Sequence, residues 1–132
     1  MDDLEKMMVE EDKPVYNIRH RAFYFSKNTI EFIRQTKFER IHFSLFDQLI
    51  RSATSIGANL VEGSAGVSDK DYLNYNAIAL KSANETKYWL CILKEAKLAD
   101  IKRLDELVKE ADEISKIIAS IVINLKNRKR GF

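Results

Sequence analysis

Apolar residues recur at steps of three and four along most of this chain, which is the period of one face of an α-helix. The first run follows Pro14 and predicts a helix over residues 15–36. The last run alternates steps of three and four without interruption, a pattern typical of a coiled-coil seam. Its members are Leu104, Leu107, Ala111, Ile114, Ile118, Ile121 and Leu125.

Capping and turn residues indicate where the second helix begins and ends. Ser44, with Asp47 three positions later, resembles a capping box and predicts the start of this helix. We expect Gly63 to end it, because glycine readily adopts the left-handed conformation of a helix C-terminus. The segment EGSAGVSDKD, residues 62–71, is then the clearest loop of the chain.

The third helix is predicted to begin at Ser68, which has Asp71 three residues on, and to run without a breaker to about Leu98. Four amphipathic helices joined by short connections pack most simply as an antiparallel up-down-up-down four-helix bundle, because a short loop returns the chain beside itself. We therefore expect an all-α protein. Its predicted parts are an acidic N-terminal tail, the bundle and a basic C-terminal tail, at residues 1–13, 14–127 and 128–132.

The predicted second helix has two different faces when it is drawn at 100° per residue. The apolar stripe consists of Leu49, Ala53, Ile56 and Leu60. The opposite face carries small hydroxyls, amides and one charge of each sign, and it consists of Gln48, Arg51, Ser55, Asn59 and Glu62. A face that meets only water usually carries more long charged side chains. We favour an oligomer interface for this polar face over a water-filled groove.

The C-terminal half of the last helix is apolar on nearly every side, which predicts neighbours on more than one side. Its apolar residues are Ile117, Ile118, Ile121, Val122 and Ile123. We therefore add Ile117 and Ile121 to the predicted oligomer interface. The alternative is a wider contact with the first helix, where Phe23 and Tyr24 fall off the apolar stripe and need cover.

Two stretches of the chain resemble a known family. They are QLIRSATSIGANLVEG, residues 48–63, and DYLNYNAIALKSANET, residues 71–86. Both are similar to the small bacterial proteins of the 23S ribosomal RNA intervening-sequence family, and the resemblance spans roughly residues 16–126. Gly57 stands where that family commonly has proline. The resemblance implies an antiparallel four-helix bundle that assembles into a homopentameric ring, and it leaves the biochemical role open.

Composition places the chain among soluble globular proteins, with 45% hydrophobic and 32% charged residues. No apolar run is long enough to cross a membrane, and the acidic N-terminus is unlike a secretory signal. Cys91 is the single cysteine, and its neighbours Trp89 to Leu93 predict a buried, unreactive thiol. We expect a cytoplasmic protein with no disulfide and no membrane contact.

The sequence offers little that could carry catalysis or hold a metal. A di-iron centre in a bundle needs two Glu-x-x-His pairs, and only Glu39 with His42 has that spacing. The other histidine, His20, has Asn17 at the matching position. We therefore predict no metal, no cofactor and no enzymatic activity.

Basic residues at both ends of the chain could bind a polyanion. Residues 13–41 hold seven bases against two acids, although the whole chain has a formal net charge of only +2. The candidate nucleic-acid-binding residues are Arg19, Arg21, Lys27, Lys126, Arg128, Lys129 and Arg130. A closed oligomer would repeat this cluster around a ring.

We accordingly predict a non-enzymatic oligomeric bundle that acts as a scaffold or accessory factor and binds RNA or a ribonucleoprotein. The alternative is a protein–protein interaction module with no nucleic-acid contact, in which the basic residues form a solvated rim.

Overall fold

The computed structural model describes residues 17–66 and 68–129, which form four helices and no strand. The long helices are α1 (Ile18–Gln35), α2 (Phe43–Ser64), α3 (Asp69–Glu95) and α4 (Ile101–Lys129), and one turn of 3-10 helix, Arg40–His42, precedes α2. The predicted all-α fold is confirmed.

Neighbouring helices run in opposite directions. Between α2 and α3, Ser52 contacts Thr86 and Ser55 contacts Ser82, so the residue numbers rise along one helix as they fall along the other. The other neighbouring pairs show the same reversal, through Lys94–Asp105, Lys87–Asp112, Arg19–Ser64 and Ser26–Ala53. Because α1 also packs against α4, the four helices close into a bundle around one core.

The core is formed by the apolar stripes that the periodicity predicts. Burying such a stripe removes apolar surface from water at about 25 cal/mol per Å². The largest fully buried apolar side chains are Phe25, Phe46, Leu49, Ile56, Leu90, Leu93, Leu104, Ile114 and Ile118. Along α4, Val122 is buried where the predicted seam has Ile121, which is only half-buried. An ideal helix drifts relative to a strict seven-residue repeat, so the buried position shifts by one residue near its end.

The predicted bounds of α2 lie within one residue of the observed ones, but the predicted caps are wrong. The helix begins at Phe43 after the 3-10 turn, so Ser44 lies inside it and caps nothing, and its N-cap His42 makes no side-chain capping hydrogen bond. Gly63 also lies inside α2, buried, and the helix continues to Ser64 with a right-handed C-cap. α2 passes through Gly57 without a break.

The start of α3 is confirmed, since the Ser68 hydroxyl accepts a hydrogen bond of 3.1 Å from the backbone N–H of Asp71. The helix ends at Glu95, three residues before the predicted end. Lys97 has a positive φ of 56°, and the N–H groups of Lys97 and Leu98 donate to the carbonyls of Lys94 and Leu93, respectively. This is a Schellman motif, with lysine in the position that glycine usually takes.

The predicted burial of Cys91 is wrong, because its side chain is exposed. On an α-helix each residue is turned by 100° from the one before, so apolar sequence neighbours do not share one face. Leu90 and Leu93 point into the core, and Cys91 lies on the outward side of α3.

Candidate interaction surface

The polar face of α2 divides into an outward part and a part that meets α3. Gln48, Arg51 and Glu62 are exposed. Arg51 Nε lies 2.9 Å from Asp47 Oδ2, one turn earlier on the same helix. An exposed pair at this spacing contributes only about 0.3–0.5 kcal/mol, so both side chains remain available to a partner.

Ser55 and Asn59 are half-buried at the boundary between α2 and α3. Ser82 Oγ of α3 lies 3.0 Å from Ser55 Oγ, and Asn59 Nδ2 donates to the Ser55 carbonyl at 2.8 Å. These two members of the predicted oligomer interface therefore have hydrogen-bond partners within their own subunit. About one turn earlier on α2, the Ser52 hydroxyl lies 3.0 Å from the buried hydroxyl of Thr86.

A groove between α1 and α2 adjoins the outward part of this face. It has a volume of about 320 Å³, and small residues form its floor, which lets another chain approach the helix backbone closely. Its lining is Arg19, Phe23, Ser26, Thr54, Gly57, Ala58, Val61 and Glu62. A second hollow of about 210 Å³ shares Phe23 and Ser26 and continues the groove toward Ile30.

Sequence reasoning missed this groove as a site, although two signals for it were present. Phe23 lies off the apolar stripe of α1, and Gly57 is followed by Ala58 on α2. In the structure, Phe23 is half-buried at the edge of the groove, with its ring edge-on to Tyr24 at 5.3 Å. Gly57 faces Ala22 where the two helices meet, and a Cβ atom placed on Gly57 would lie 3.5 Å from the Ala22 Cβ atom.

Apolar side chains on α4 form a second exposed surface. Ile117 is exposed and Ile121 is half-buried, while Ile123, which is also exposed, lies about 160° around the helix from Ile121. Of these, Ile117 and Ile121 belong to the predicted oligomer interface, and they lie one turn apart on the helix.

The predicted nucleic-acid-binding residue Arg21 is committed to contacts inside the bundle. Its guanidinium donates to both carboxylate oxygens of Glu110 and to Glu113 Oε2, the last at 2.8 Å. The hydrogen bond to Glu110 raises the pKa of Arg21 above its ordinary value. In return, the hydrogen bond from Arg21 lowers the pKa of Glu113. These carboxylates neutralise the charge of Arg21, which links α1 to α4.

The other basic candidates lie in different surroundings. Arg19 Nη1 donates to Ser64 Oγ at 3.1 Å, and Lys27 Nζ lies 5.6 Å from the centre of the Tyr24 ring. Lys126 and Arg128 are exposed on the last turns of α4, and neither forms an ion pair with another described residue. The side chain of Lys129 and the whole of Arg130 lie outside the described residues.

The antiparallel order brings three of these cations to one end of the bundle. α1 begins and α4 ends at the same end, since α1 runs antiparallel to α2, α2 to α3 and α3 to α4. Arg19 lies in the first turn of α1, and Lys126 and Arg128 lie on the turns of α4 beyond Glu113, the contact of Arg21; we term this end of the bundle the basic end.

Within the described part of the chain, no group of three or more His, Cys, Asp or Glu side chains could hold a metal ion. Glu39 and His42 lie at the 3-10 turn before α2, at one end of the bundle. None of the described helices combines the length and the hydropathy that a membrane span requires.

Comparison with known proteins places these features in a family. The sequence model of the family described as 23S rRNA-intervening sequence protein matches residues 15–120. Among solved structures, the chain is similar to a protein of unknown function from the S23 ribosomal protein family of Bacteroides thetaiotaomicron VPI-5482. The two share 31% sequence identity with a TM-score of 0.72, over 80% of this chain and 98% of the other. No curated protein matches the chain significantly.

Proposed function

We propose, from the premise that this chain belongs to the 23S rRNA-intervening sequence protein family, that it acts without catalysis as an oligomeric scaffold or accessory factor for RNA or a ribonucleoprotein. Each subunit presents its basic end to the phosphate backbone. Assembly repeats that end around a closed oligomer, a pentamer according to the family resemblance.

The observation that carries the proposal is the state of the cations at the basic end. Lys126 and Arg128 are exposed and form no ion pair within the described residues, whereas the charge of Arg21 is neutralised inside the bundle. Cations that are free of protein carboxylates can displace the counterions of a phosphate backbone, and this displacement supplies most sequence-independent affinity. One subunit offers few such cations, so tight binding of RNA requires several subunits that each contribute their own copy of them.

Self-association is supported by the surfaces that a single subunit leaves uncovered. The groove between α1 and α2 offers apolar and small side chains, with Arg19 and Glu62 among the residues that line it. A copy of the chain can place apolar residues in the groove and pair its charged groups at the rim, as in other protein interfaces. Ile117 and Ile121, one turn apart on α4, offer a second contact, as a closed ring requires two different surfaces on each subunit.

The salt dependence of RNA binding tests the proposal. A labelled RNA should bind at about 50 mM salt and lose affinity steeply toward about 200 mM. The double variant Lys126→Gln, Arg128→Gln should flatten the slope of log affinity against log salt. The matched control is Lys81→Gln, Lys109→Gln, which removes two exposed lysines elsewhere on the bundle and should leave the slope unchanged. If log affinity falls with log salt at the same slope in both double variants, the basic end does not bind the RNA.

The second candidate function is a protein–protein interaction module, and the groove favours it. Among the described residues that line the groove, Arg19 is the one cation and most of the others are small or apolar, which suits a partner helix better than a phosphate backbone. This candidate predicts no RNA binding at low salt. It also predicts that Ala58→Arg, which places a long charged side chain in the groove, abolishes binding of the partner polypeptide.

A further inference from the structure

The connection between α1 and α2 exposes two large hydrophobic side chains at the end of the bundle opposite the basic end. Ile41 is 79% exposed and Phe43 is 61% exposed, more than any other large hydrophobic residue of the described chain. Single exposed apolar residues are common on protein surfaces, but these two lie within three positions of each other and contribute nothing to the core.

Contacts within the connection and at its ends order the backbone that carries these side chains. The Phe38 ring stacks on Phe46 with their centres 4.0 Å apart and their planes 15° from parallel. The Thr36 hydroxyl donates to the Phe32 carbonyl at 2.7 Å, and the His42 N–H donates to the Glu39 carbonyl at 2.9 Å. Ile41 and Phe43 are therefore displayed by an ordered turn.

Two cations precede the exposed pair in the same connection. Lys37 and Arg40 are both exposed, and neither forms an ion pair with another described residue. Glu39 is the one acidic residue between Lys37 and Phe43. The patch thus combines an exposed aromatic face with positive charge, the chemistry that recognises single-stranded nucleic acid.

We infer that this surface, which we term the Phe43 platform, binds an unpaired nucleotide of single-stranded RNA. The base stacks on Phe43, and Lys37 and Arg40 contact the neighbouring phosphates. This inference rests on the proposed function and extends it to a second RNA contact. A stable protein interface covers about 800 Å² on each partner, far more than two side chains in a turn offer, whereas one base needs only one aromatic face.

The position of the platform sets the distance between the two proposed RNA contacts of one subunit. α3 runs the length of the bundle, and its 27 residues span about 40 Å at 1.5 Å per residue. The platform and the basic end lie at opposite ends of that length. Each subunit therefore holds two RNA segments apart, one by its phosphates and one by an unstacked base.

Fluorescence anisotropy with an unstructured ten-nucleotide RNA and a duplex of the same length tests the inference. Phe43→Ala should weaken single-strand binding about tenfold, as loss of one base–aromatic stack does, and leave duplex binding unchanged. Phe43→Tyr keeps the aromatic face and should bind within about twofold of the wild type. Tyr88→Ala is the matched control, because Tyr88 is 59% exposed but lies on α3, whereas the platform belongs to the connection between α1 and α2. It should change neither affinity.

A crosslinking measurement on the unaltered protein does not depend on how the variants fold. An RNA that carries 4-thiouridine should crosslink to the intact protein. Subsequent trypsin digestion should locate the crosslink on the peptide Ile41–Arg51, which contains Phe43. Adducts found only on other peptides would overturn the inference.

The outcomes separate the inference from the proposed function. If Phe43→Ala binds single-stranded RNA like the wild type while Lys126→Gln, Arg128→Gln loses affinity, the platform is wrong and the basic end stands. The platform is also wrong if Phe43→Ala and Tyr88→Ala weaken binding equally, or if Phe43→Ala impairs only a polypeptide partner. If the wild type binds no RNA at about 50 mM salt, both proposals fail.

Discussion

Two glycines of α2 show how single residues set the distances between helices. A Cβ atom added to Gly63 would lie 2.9 Å from Tyr75 Cβ, which cannot move without its own helix. A Cβ atom added to Gly57 would meet Ala22 at 3.5 Å, an ordinary van der Waals distance. Gly63 is therefore required by the approach of α3, while Gly57 leaves room for a methyl group.

Alanine substitutions at these glycines should have opposite effects. Gly63→Ala forces α2 and α3 apart and should lower the free energy of unfolding by about 1–3 kcal/mol. Gly57→Ala removes the entropic cost of a helical glycine and should raise it by about 0.5–1 kcal/mol. Urea denaturation of the two variants beside the wild type measures both. A Gly63→Ala protein as stable as the wild type would refute the close contact.

The backbone of Lys97 offers a second test at this scale. A non-glycine residue in the left-handed region costs about 1 kcal/mol, and Lys97 adopts φ of 56° there. Lys97→Gly should therefore raise the melting temperature by a few degrees, measured by circular dichroism. Ala96→Gly, at a right-handed position of the same helix end, should give no gain. A gain at both positions would point to a cause other than the left-handed conformation.

At the scale of elements, periodicity predicted which face of each helix is buried better than it predicted where the helices end. Faces follow from the burial of many side chains together, so one atypical residue changes little. Ends depend on a few local contacts. α2 begins at Phe43 because the stacked pair of Phe38 and Phe46 and the 3-10 turn fix the chain there. The capping pattern at Ser44 does not indicate that contact.

The candidate site could be predicted only in part, because the sequence indicates which face of a helix is turned outward but not which residues of another helix it contacts. The sequence shows which residues of α2 face away from the core, but the contact between Ser55 and Ser82 depends on the register of two helices. The carboxylates around Arg21 come from α4, 89 and 92 positions along the chain, and no local pattern reports them.

The ion pairs that involve α4 predict a decline of stability in acid. Hydrogen bonds from Arg21 lower the pKa of Glu113 below its ordinary value of 4.5, and hydrogen bonds from Lys116 and then Lys87 lower the pKa of Asp112 below 3.8. A carboxyl group with a lowered pKa stabilises the folded state fully above its ordinary pKa and loses that contribution as the pH falls through the lowered value. Stability should therefore fall below about pH 4.5.

Urea unfolding of an Arg21 variant at two pH values isolates one of these contributions. Arg21→Met keeps an apolar stem against the bundle and removes the charge, so it should destabilise the protein more at pH 7 than at pH 3. Arg34→Met is the control, because Arg34 pairs with Glu31 within α1 and is largely exposed. It should have little effect at either pH. An Arg21→Met effect that is equal at both pH values would contradict the assigned role of Glu113.

At the scale of the whole molecule, the proposed binding of RNA depends on the proposed assembly of several subunits. One chain has a formal net charge of only +2, and its exposed cations at the basic end are few. Closed symmetry would place copies of Lys126 and Arg128 side by side and raise the local positive potential without new residues. The groove between α1 and α2 is the contact through which we expect the copies to meet.

The most direct measurement of this claim is the molar mass of the purified protein by light scattering coupled to size-exclusion chromatography, for the wild type and for Ala58→Arg. Our account predicts a discrete oligomer of the 15.3 kDa chain for the wild type. For Ala58→Arg it predicts a helical monomer, because Ala58 is exposed in the free subunit and lines the groove. A wild-type protein that elutes as a 15.3 kDa monomer at micromolar concentrations would contradict the account.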